Sequence, residues 1–323
     1  MIATAICTET KQLIANNTLV HGKVHSVFGR VFNVLTNDRH LISFLSDKIL
    51  PAPRSICVDL PARQSMHVSG FLPGMSVAFS STQVCIGSYL HIDLTRAREW
   101  DPHPTFNFDP IGEHLLVENI RSVRDILMCH GNLHGIAGIT PFLLKTSPVA
   151  EERNPALNSA GELILPRINK LLACIISGDM ESLRHAAGNV VGFGPGLTPS
   201  ADDFLCALMA SLLYSDAYYA RNLSRTYQIN NAIIGKIFER TTTLSAEMLS
   251  LAAQGWVAEG VRRLLLAVFA ENGQRALKDR LLSVLDYGET SGTDLTAGVY
   301  AGCLLGMCLE DHGRTVNLAS LLS

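Results

Sequence analysis

Two kinds of hydrophobic periodicity divide the chain. Between residues 19 and 94, short runs rich in β-branched and aromatic residues alternate with turn residues, as in RVFNVLT and HLISFL. Short strands separated by turns at a spacing of roughly 8 to 12 residues are typical of a small barrel or sandwich. The predicted strands cover residues 19–28, 30–36, 40–45, 55–60, 64–70, 75–80, 83–87 and 89–94.

After residue 110 the apolar residues recur every three or four positions, which predicts helices. The predicted helical segments are residues 114–127, 168–178, 204–215, 230–255, 261–270, 275–285 and 298–309. The segments LCALMASLL and GVYAGCLLGMCL are apolar on more than one face, which predicts central helices enclosed by others.

The proline-rich stretch WDPHPTFNFDP, residues 100–110, interrupts any regular element and marks the expected domain boundary. The pattern therefore predicts an α+β protein. A β-rich, barrel-like or sandwich-like domain over residues 1–105 precedes a mostly α-helical domain over residues 106–323.

Composition narrows the kinds of partner. The formal net charge of −3 supplies no basic field for a phosphate backbone, so we expect a small-molecule ligand and no nucleic acid. The eight cysteines include no CxxC pair, which indicates reduced thiols. The N-terminus lacks the pattern of a signal peptide, and no segment reaches about 18 uninterrupted apolar residues. We therefore expect a cytoplasmic protein that does not span a membrane.

The first chemical motif is GFGPGLTPSADDF, residues 192–204, where alternate glycines precede a predicted helix. Thr198 as N-cap and Pro199 at the first helical position would make an ordinary helix start. That start does not explain the glycines, because each one adds backbone entropy that is lost on ordering. Free N–H groups at a loop and helix start suit a phosphate or carboxylate. The expected substrate-binding residues of this motif are Gly192, Gly194, Gly196, Thr198 and Ser200.

Asp202 and Asp203 complicate a simple anion site, since a carboxylate about 4 Å from an anion repels it by roughly 1 kcal/mol in water. Two solutions are open. A divalent ion such as Mg²⁺, held by these carboxylates, could bridge to the anion, or a basic side chain could reach in from elsewhere. Arg30 is our candidate for that side chain, although an arginine in a strand pair is more often turned to solvent.

The second motif, SGTDLTAG at residues 291–298, also places hydroxyl and small residues before an aspartate at the start of an apolar helix. Ser291 and Asp294 have the spacing of a capping box, which by itself explains the motif. If the two helices start at one spot, Asp202, Asp203 and Asp294 would instead share a metal ion or a proton and act as catalytic residues. The expected substrate-binding residues here are Ser291, Gly292 and Thr293.

Two other segments contain candidate functional residues. His130 and His134 have the spacing of metal ligands on a helix, but the intervening Gly131 and Asn132 favour a loop with unrelated histidines. Ser245 lies in TTTLSAEML, which is either an ordinary helix start or a segment near the site.

The segment GFGPGLTPSADDFL resembles the AllH subunit family of oxamate carbamoyltransferase, formerly catalogued as a domain of unknown function. HGKVHSVFGRVFN at residues 21–33, TTTLSAEMLSLAAQG at residues 241–255 and SGTDLTAG support the resemblance, which spans almost the whole chain. It implies one component of a multi-subunit enzyme. That enzyme exchanges oxalurate and phosphate with oxamate and carbamoyl phosphate in anaerobic allantoin breakdown, a branch of purine catabolism.

Two alternatives remain open at this point. The acidic pair and the SGTD segment loosely resemble the dimagnesium ADP-ribosylglycohydrolases, which would make the protein a Mg²⁺-dependent hydrolase. Two metal ions about 4 Å apart among the aspartates would favour that function. The protein could also be a non-catalytic subunit that binds a small acid or has a structural role.

Overall fold

The computed structural model describes residues 1–16, 19–60, 65–67, 69–144 and 157–309. The chain separates into two compact units, Met1–His103 and Pro104–Ser323, called here the N-terminal unit and the helical unit.

The described part of the N-terminal unit contains a nine-stranded mixed sheet. Its strands are β1 Ala3–Cys7, β2 Val20–Val27, β3 Val31–Thr36, β4 Leu41–Ser46, β5 Ser55–Val58, β6 Ser76–Phe79, β7 Gln83–Ile86, β8 Leu90–Asp93 and β9 Arg98–Trp100, with helix α1 at Thr8–Ala15. The spatial order is β8-β7-β6-β2-β3-β4-β5-β1-β9. The pairs β4–β5 and β1–β9 are parallel, and the other neighbours are antiparallel.

The sheet curls around an aromatic core. A bridge between Ile2 and Asp93 brings the end of β8 to the residue before β1. Inside the curl, the rings of Phe32 and Phe44 stack with their centres 4.3 Å apart, and Phe71 stacks on the other side of Phe32. Stacked aromatic side chains contribute to packing beyond the apolar area that they bury.

The prediction of a β-rich domain followed by a helical one is confirmed, with differences in detail. β1, α1 and β9 were not predicted, because short elements such as Arg98–Trp100 carry too little periodicity to recognise. The strand predicted at residues 64–70 is wrong for the described residues there, which form turns. Gln64 and Val68 of that prediction lie outside the described residues.

The helical unit contains α2 Glu113–His130, α3 Ser159–Ser177, α4 Met180–Gly188, α5 Ser200–Tyr218, α6 Ser224–Ile233, α7 Thr243–Ala252, α8 Glu259–Ala270, α9 Gln274–Leu285 and α10 Ser291–Cys308. Short 3₁₀ helices lie at Ala137–Phe142 and Ile237–Glu239. The helical segment predicted over residues 230–255 contains the ends of two helices and a 3₁₀ turn. The helix start expected in TTTLSAEML is present, because Thr242 caps α7 by accepting a hydrogen bond from the Ser245 N–H at 3.1 Å.

Helices α5 and α10 form the buried centre of this unit. Gly298 of α10 lies against the carbonyl of Phe204, and Gly306 lies against Ser215. Residue numbers rise together along both helices, so the helices run parallel and begin side by side. Added side-chain atoms at these glycines would overlap α5, so the glycines permit the close approach. No helix in the described ranges combines the length and apolar character needed to cross a membrane.

Candidate functional site

The parallel packing of α5 and α10 brings the two sequence motifs together. The hydroxyl oxygens of Thr198 and Ser291 lie 3.2 Å apart, within hydrogen-bond distance, although 93 residues separate them in the chain. Each residue is only partly buried. The two helix starts therefore form one polar site that opens towards solvent.

The segment before α5, residues 192–199, is called here the glycine loop. Gly192, Gly194 and Gly196 all have left-handed backbone conformations, with φ of 79°, 120° and 92°. Gly192 packs on the carbonyl of Arg240, and a Cβ on Gly194 would lie 2.8 Å from the Ser200 nitrogen, whereas Gly196 borders open space. Backbone conformation thus accounts for all three glycines, and the tip of the loop, residues 194–196, is exposed.

The expected N-cap role of Thr198 is wrong. Helix α5 begins at Ser200 with Pro199 at the cap position, and no side chain caps it. Within the described chain, several N–H groups of this segment donate to no other group. These donors belong to Gly194, Gly196, Leu197, Thr198 and Ser200. A row of unused N–H groups at a helix start is the usual form of an anion site.

Asp202 holds the glycine loop in place through hydrogen bonds to both of its carboxylate oxygens. Its Oδ1 accepts the Gly192 N–H at 2.7 Å, and its Oδ2 accepts the Ser245 hydroxyl at 2.7 Å and the Thr241 hydroxyl. The side chain is buried. Both oxygens are therefore used to join the glycine loop to the start of α7, which the sequence did not reveal.

Asp203 lies beneath the Thr198 and Ser291 hydroxyls, and only 2% of its surface is exposed. Its Oδ2 accepts no hydrogen bond from any described residue. Burial raises the pKa of this carboxyl well above its ordinary value, and the charge of Asp294 raises it further, whereas the two hydroxyls act in the opposite direction. Burial therefore favours the protonated form of Asp203.

Asp294 joins the start of α10 to a neighbouring loop. Its Oδ1 accepts the N–H groups of Ile136 and Ala137 at 2.8 and 3.0 Å. The capping-box interpretation of Ser291 and Asp294 is therefore wrong, because the carboxylate turns to this neighbouring loop. Burial raises the pKa of Asp294 to about 6, opposed by the Ser200 hydroxyl and the two N–H groups.

The loop at residues 131–136, which lies between α2 and the first 3₁₀ helix, covers the start of α10. Asn132 donates its N–H to the Thr293 hydroxyl at 3.0 Å, and Gly135 packs directly on the Asp294 carboxyl. Asn158 donates to the Gly135 carbonyl at 2.8 Å.

Of the two histidines considered as metal ligands, His130 is the last residue of α2 and His134 lies in this loop. The glycines in CHGNLHG were the one sequence signal for this loop.

Gly292 and Thr293 have packing contacts in the structure. Gly292 lies against the Val284 carbonyl, and Thr293 is fully buried where its hydroxyl accepts the Asn132 N–H. Their expected role in binding substrate remains a prediction.

The carboxylates do not fit a shared metal site. Among the described residues, no group of three or more His, Cys, Asp or Glu side chains is arranged to hold a metal ion. Both oxygens of Asp202 are already engaged by N–H and O–H donors.

Basic side chains of the helical unit lie beside the glycine loop. The Arg167 guanidinium carbon lies 5.6 Å from the centre of the Phe193 ring, and Arg240 donates to the Gly188 carbonyl at 2.6 Å. Neither residue was predicted from the sequence, because neither belongs to a motif. Arg30 lies between β2 and β3 of the N-terminal unit, and its carbonyl accepts the Ser46 N–H at 2.9 Å. Its role at the site stays a prediction.

Comparison with protein families gives two matches. The model described as oxamate carbamoyltransferase subunit AllH matches residues 190–303, and the model described as the AllH family N-terminal domain matches residues 2–99. The first match contains both helix starts, and the second covers the sheet. No solved structure gave a significant match.

Proposed function

This chain belongs to the AllH family of oxamate carbamoyltransferase subunits, and on that premise we propose that its helical unit binds a small anionic carbamoyl donor or acceptor at the glycine loop. The observation that carries the proposal is the set of unused N–H donors between Gly194 and Ser200, at the same helix start as the buried Asp203 carboxyl, whose Oδ2 has no hydrogen-bond partner among the described residues. The proposed substrates are oxalurate and phosphate in one direction, and oxamate and carbamoyl phosphate in the other.

Helix geometry supports an anion at this position. Because α5 and α10 begin side by side, the positive ends of two helix dipoles lie close together at the Thr198 and Ser291 hydroxyls. The exposed residues 194–196 give a small molecule access to the donors. A phosphate or carboxylate could therefore accept several backbone hydrogen bonds without displacing any packed side chain.

The neighbouring carboxyls need not repel such an anion. Burial raises the pKa of Asp203 well above its ordinary value, which favours the uncharged form of this carboxyl. A neutral carboxyl next to two hydroxyls can donate a hydrogen bond or a proton. Asp202 accepts hydrogen bonds from three donors and holds the loop in place. This division of roles removes the need for a bridging metal ion.

The proposed chemistry requires one proton transfer. An oxygen of phosphate forms a bond to the carbamoyl carbon of oxalurate, and the bond from that carbon to the oxamate nitrogen breaks. The nitrogen takes the bonding electron pair and a proton from Asp203, which regains a proton from the hydrogen phosphate. Backbone N–H groups of the glycine loop stabilise the charge that develops on the reacting oxygens. Positioning and electrostatics supply the catalysis, without a covalent nucleophile.

The matching family is described as a subunit of oxamate carbamoyltransferase. We therefore propose that other chains of a multi-subunit enzyme assemble with this one. The exposed tip of the glycine loop leaves room for a neighbouring subunit to enclose the bound substrate and exclude water.

Thermal unfolding of the purified chain tests the binding step. Oxalurate, oxamate, carbamoyl phosphate and phosphate are each added to the wild type and to Gly196→Ala. A ligand at 100 times its dissociation constant adds about 2.7 kcal/mol to the free energy of unfolding. Alanine at position 196 meets no neighbouring atom but has an unfavourable φ of 92°, so it should distort the N–H donors and weaken binding.

The matched control is Gly178→Ala. Gly178 ends α3 with a φ of 74°, so the substitution imposes a similar backbone cost outside the glycine loop. Ligand stabilisation should survive in the control and fall in Gly196→Ala. Absence of any shift in the wild type, or equal shifts in both variants, would contradict the proposed anion site.

Asp203→Asn tests the proton transfer in the assembled enzyme. The amide keeps the size of the side chain but cannot deliver and regain a proton, so substrate binding should persist while turnover falls. Full turnover by the variant would mean that this chain contributes binding or structure only.

A further inference from the structure

One cation is held at the edge of the glycine loop by an aromatic ring. The guanidinium carbon of Arg167 lies 5.6 Å from the ring centre of Phe193, the residue directly before Gly194. Arg167 is exposed, whereas Phe193 is half-buried. A cation–π contact of this kind holds the guanidinium near the ring, and the exposed N–H donors of the guanidinium can still bind a ligand. The cation therefore contacts the side chain of the residue that precedes the first unused N–H of the loop.

A purely structural role for Arg167 would be to cap a helix. Its Nη1 donates to the Asn189 carbonyl at 3.3 Å, just past the end of α4. Arginines near a helix C-terminus commonly bind the last carbonyl groups. This contact uses one donor at a long distance, and a guanidinium has five donors in a fixed fork. The Gly188 carbonyl beside it is already bound by Arg240 at 2.6 Å. Capping therefore uses one of the five N–H donors of Arg167 and does not account for the others.

The proposed reaction needs a cationic contact in addition to the backbone N–H donors. It brings together two anions, phosphate and a substrate that carries a carboxylate. Two unit charges about 4 Å apart repel by roughly 1 kcal/mol in water, and by more once water is excluded. The backbone donors of the glycine loop can serve one of these anions. A forked guanidinium matches a carboxylate with two parallel hydrogen bonds.

We propose that Arg167 binds the carboxylate of oxalurate and oxamate, beside a phosphate group held by the glycine loop. The inference rests on the proposed function and adds to it a residue that distinguishes the two anions. Arg167 is a binding residue in this scheme, since it touches the carboxylate end of the substrate and takes no part in proton transfer. Arg167 would thereby orient oxalurate and oxamate with the carboxylate end away from the phosphate.

Calorimetric titration of the full chain with oxamate, and separately with inorganic phosphate, tests the proposal. Arg167→Gln should weaken oxamate binding by about 10- to 100-fold, the usual effect of losing charged hydrogen bonds, and leave phosphate binding unchanged. Arg184→Gln is the control. Arg184 is also exposed and also donates to a helix carbonyl, that of Met180 at 3.4 Å, on α4 itself. This variant should bind both ligands like the wild type.

Arg167→Lys keeps the positive charge but lacks the fork, so its oxamate affinity should lie between those of the wild type and Arg167→Gln. It also serves if Arg167→Gln fails to fold. Oxamate binding of wild-type strength in both variants would overturn the role of Arg167. If the wild type bound neither oxamate nor phosphate, the proposed function itself would fail, which is a different result from an unaffected Arg167 variant.

Discussion

Thr198 and Ser291 hold their hydroxyl oxygens 3.2 Å apart at the neighbouring starts of α5 and α10. This contact joins two motifs that are 93 residues apart in the chain. It also places both hydroxyls over Asp203, whose pKa they lower against the larger effect of burial. The relationship depends on the close parallel packing of the two helices, and the following predictions test that packing and the groups that it brings together.

Gly298→Ala should destabilise the helical unit. The new methyl group would overlap the Phe204 carbonyl, and such overpacking costs about 1–3 kcal/mol, which exceeds the gain in helix propensity from alanine. Urea unfolding measures the change. Gly138→Ala is the control, because its Cβ would meet its nearest neighbour, Leu157, at an ordinary 3.8 Å. Equal stability of the two variants would argue against close packing of α10 on α5.

Asp202→Asn and Asp203→Asn should differ in their effect on stability. The first substitution disrupts hydrogen bonds from the Gly192 N–H and from the Thr241 and Ser245 hydroxyls, at a cost of about 2–4 kcal/mol. The second substitution changes a buried carboxyl whose Oδ2 has no hydrogen-bond partner among the described residues. The free energy of unfolding should therefore change by less than about 1 kcal/mol. Denaturant titration at pH 7 compares them. A larger loss of stability in Asp203→Asn than in Asp202→Asn would contradict the structural role proposed for Asp202 and the chemical role proposed for Asp203.

Asp294 should make stability fall as pH rises from about 4 to 6. Burial raises the pKa of Asp294 from 3.8 to about 6, so the folded state binds this proton more tightly than the unfolded state does. The stabilisation is complete below pH 3.8 and is lost as pH rises through the folded pKa of about 6, a change of about 3 kcal/mol. The raised pKa of Asp203 acts in the same direction.

Urea unfolding of the wild type and Asp294→Asn at several pH values isolates this contribution. The variant cannot titrate at this position, so its stability should decline less over the same interval. Parallel pH profiles for the two proteins would contradict the raised pKa.

Gly135→Ala should release the loop that covers Asp294. A Cβ at this position would overlap the carboxyl, so the loop or the side chain must move. The N–H groups of Ile136 and Ala137 would then lose their acceptor. Hydrogen exchange at these two amides should become faster, while exchange in α8 should not change. Unaltered protection at both amides would show that the loop adapts and keeps its hydrogen bonds to the Asp294 carboxylate.

Much of this architecture follows from local pattern. Alternating strands, helical periodicity and the proline-rich stretch predict a β-rich domain before a helical one, because each pattern reflects burial within a single element. Short elements are the exception. β9 spans three residues, Arg98–Trp100, and is a strand because β1 pairs with it. Likewise, helical periodicity over residues 230–255 does not show where one helix ends, and α7 begins where Thr242 caps it.

The sequence by itself determined the composition of the site: glycines with left-handed conformations, hydroxyl residues and aspartates at two helix starts, and membership in one family. Tertiary structure decided what each group does. Asp202 and Asp203 are adjacent in the chain, yet one accepts three hydrogen bonds and the other keeps an oxygen without a partner among the described residues. The physical reason is that hydrogen bonds and burial depend on elements far apart in sequence, such as α7 for Asp202 and α10 for Asp203, and local pattern carries no information about which of them meet.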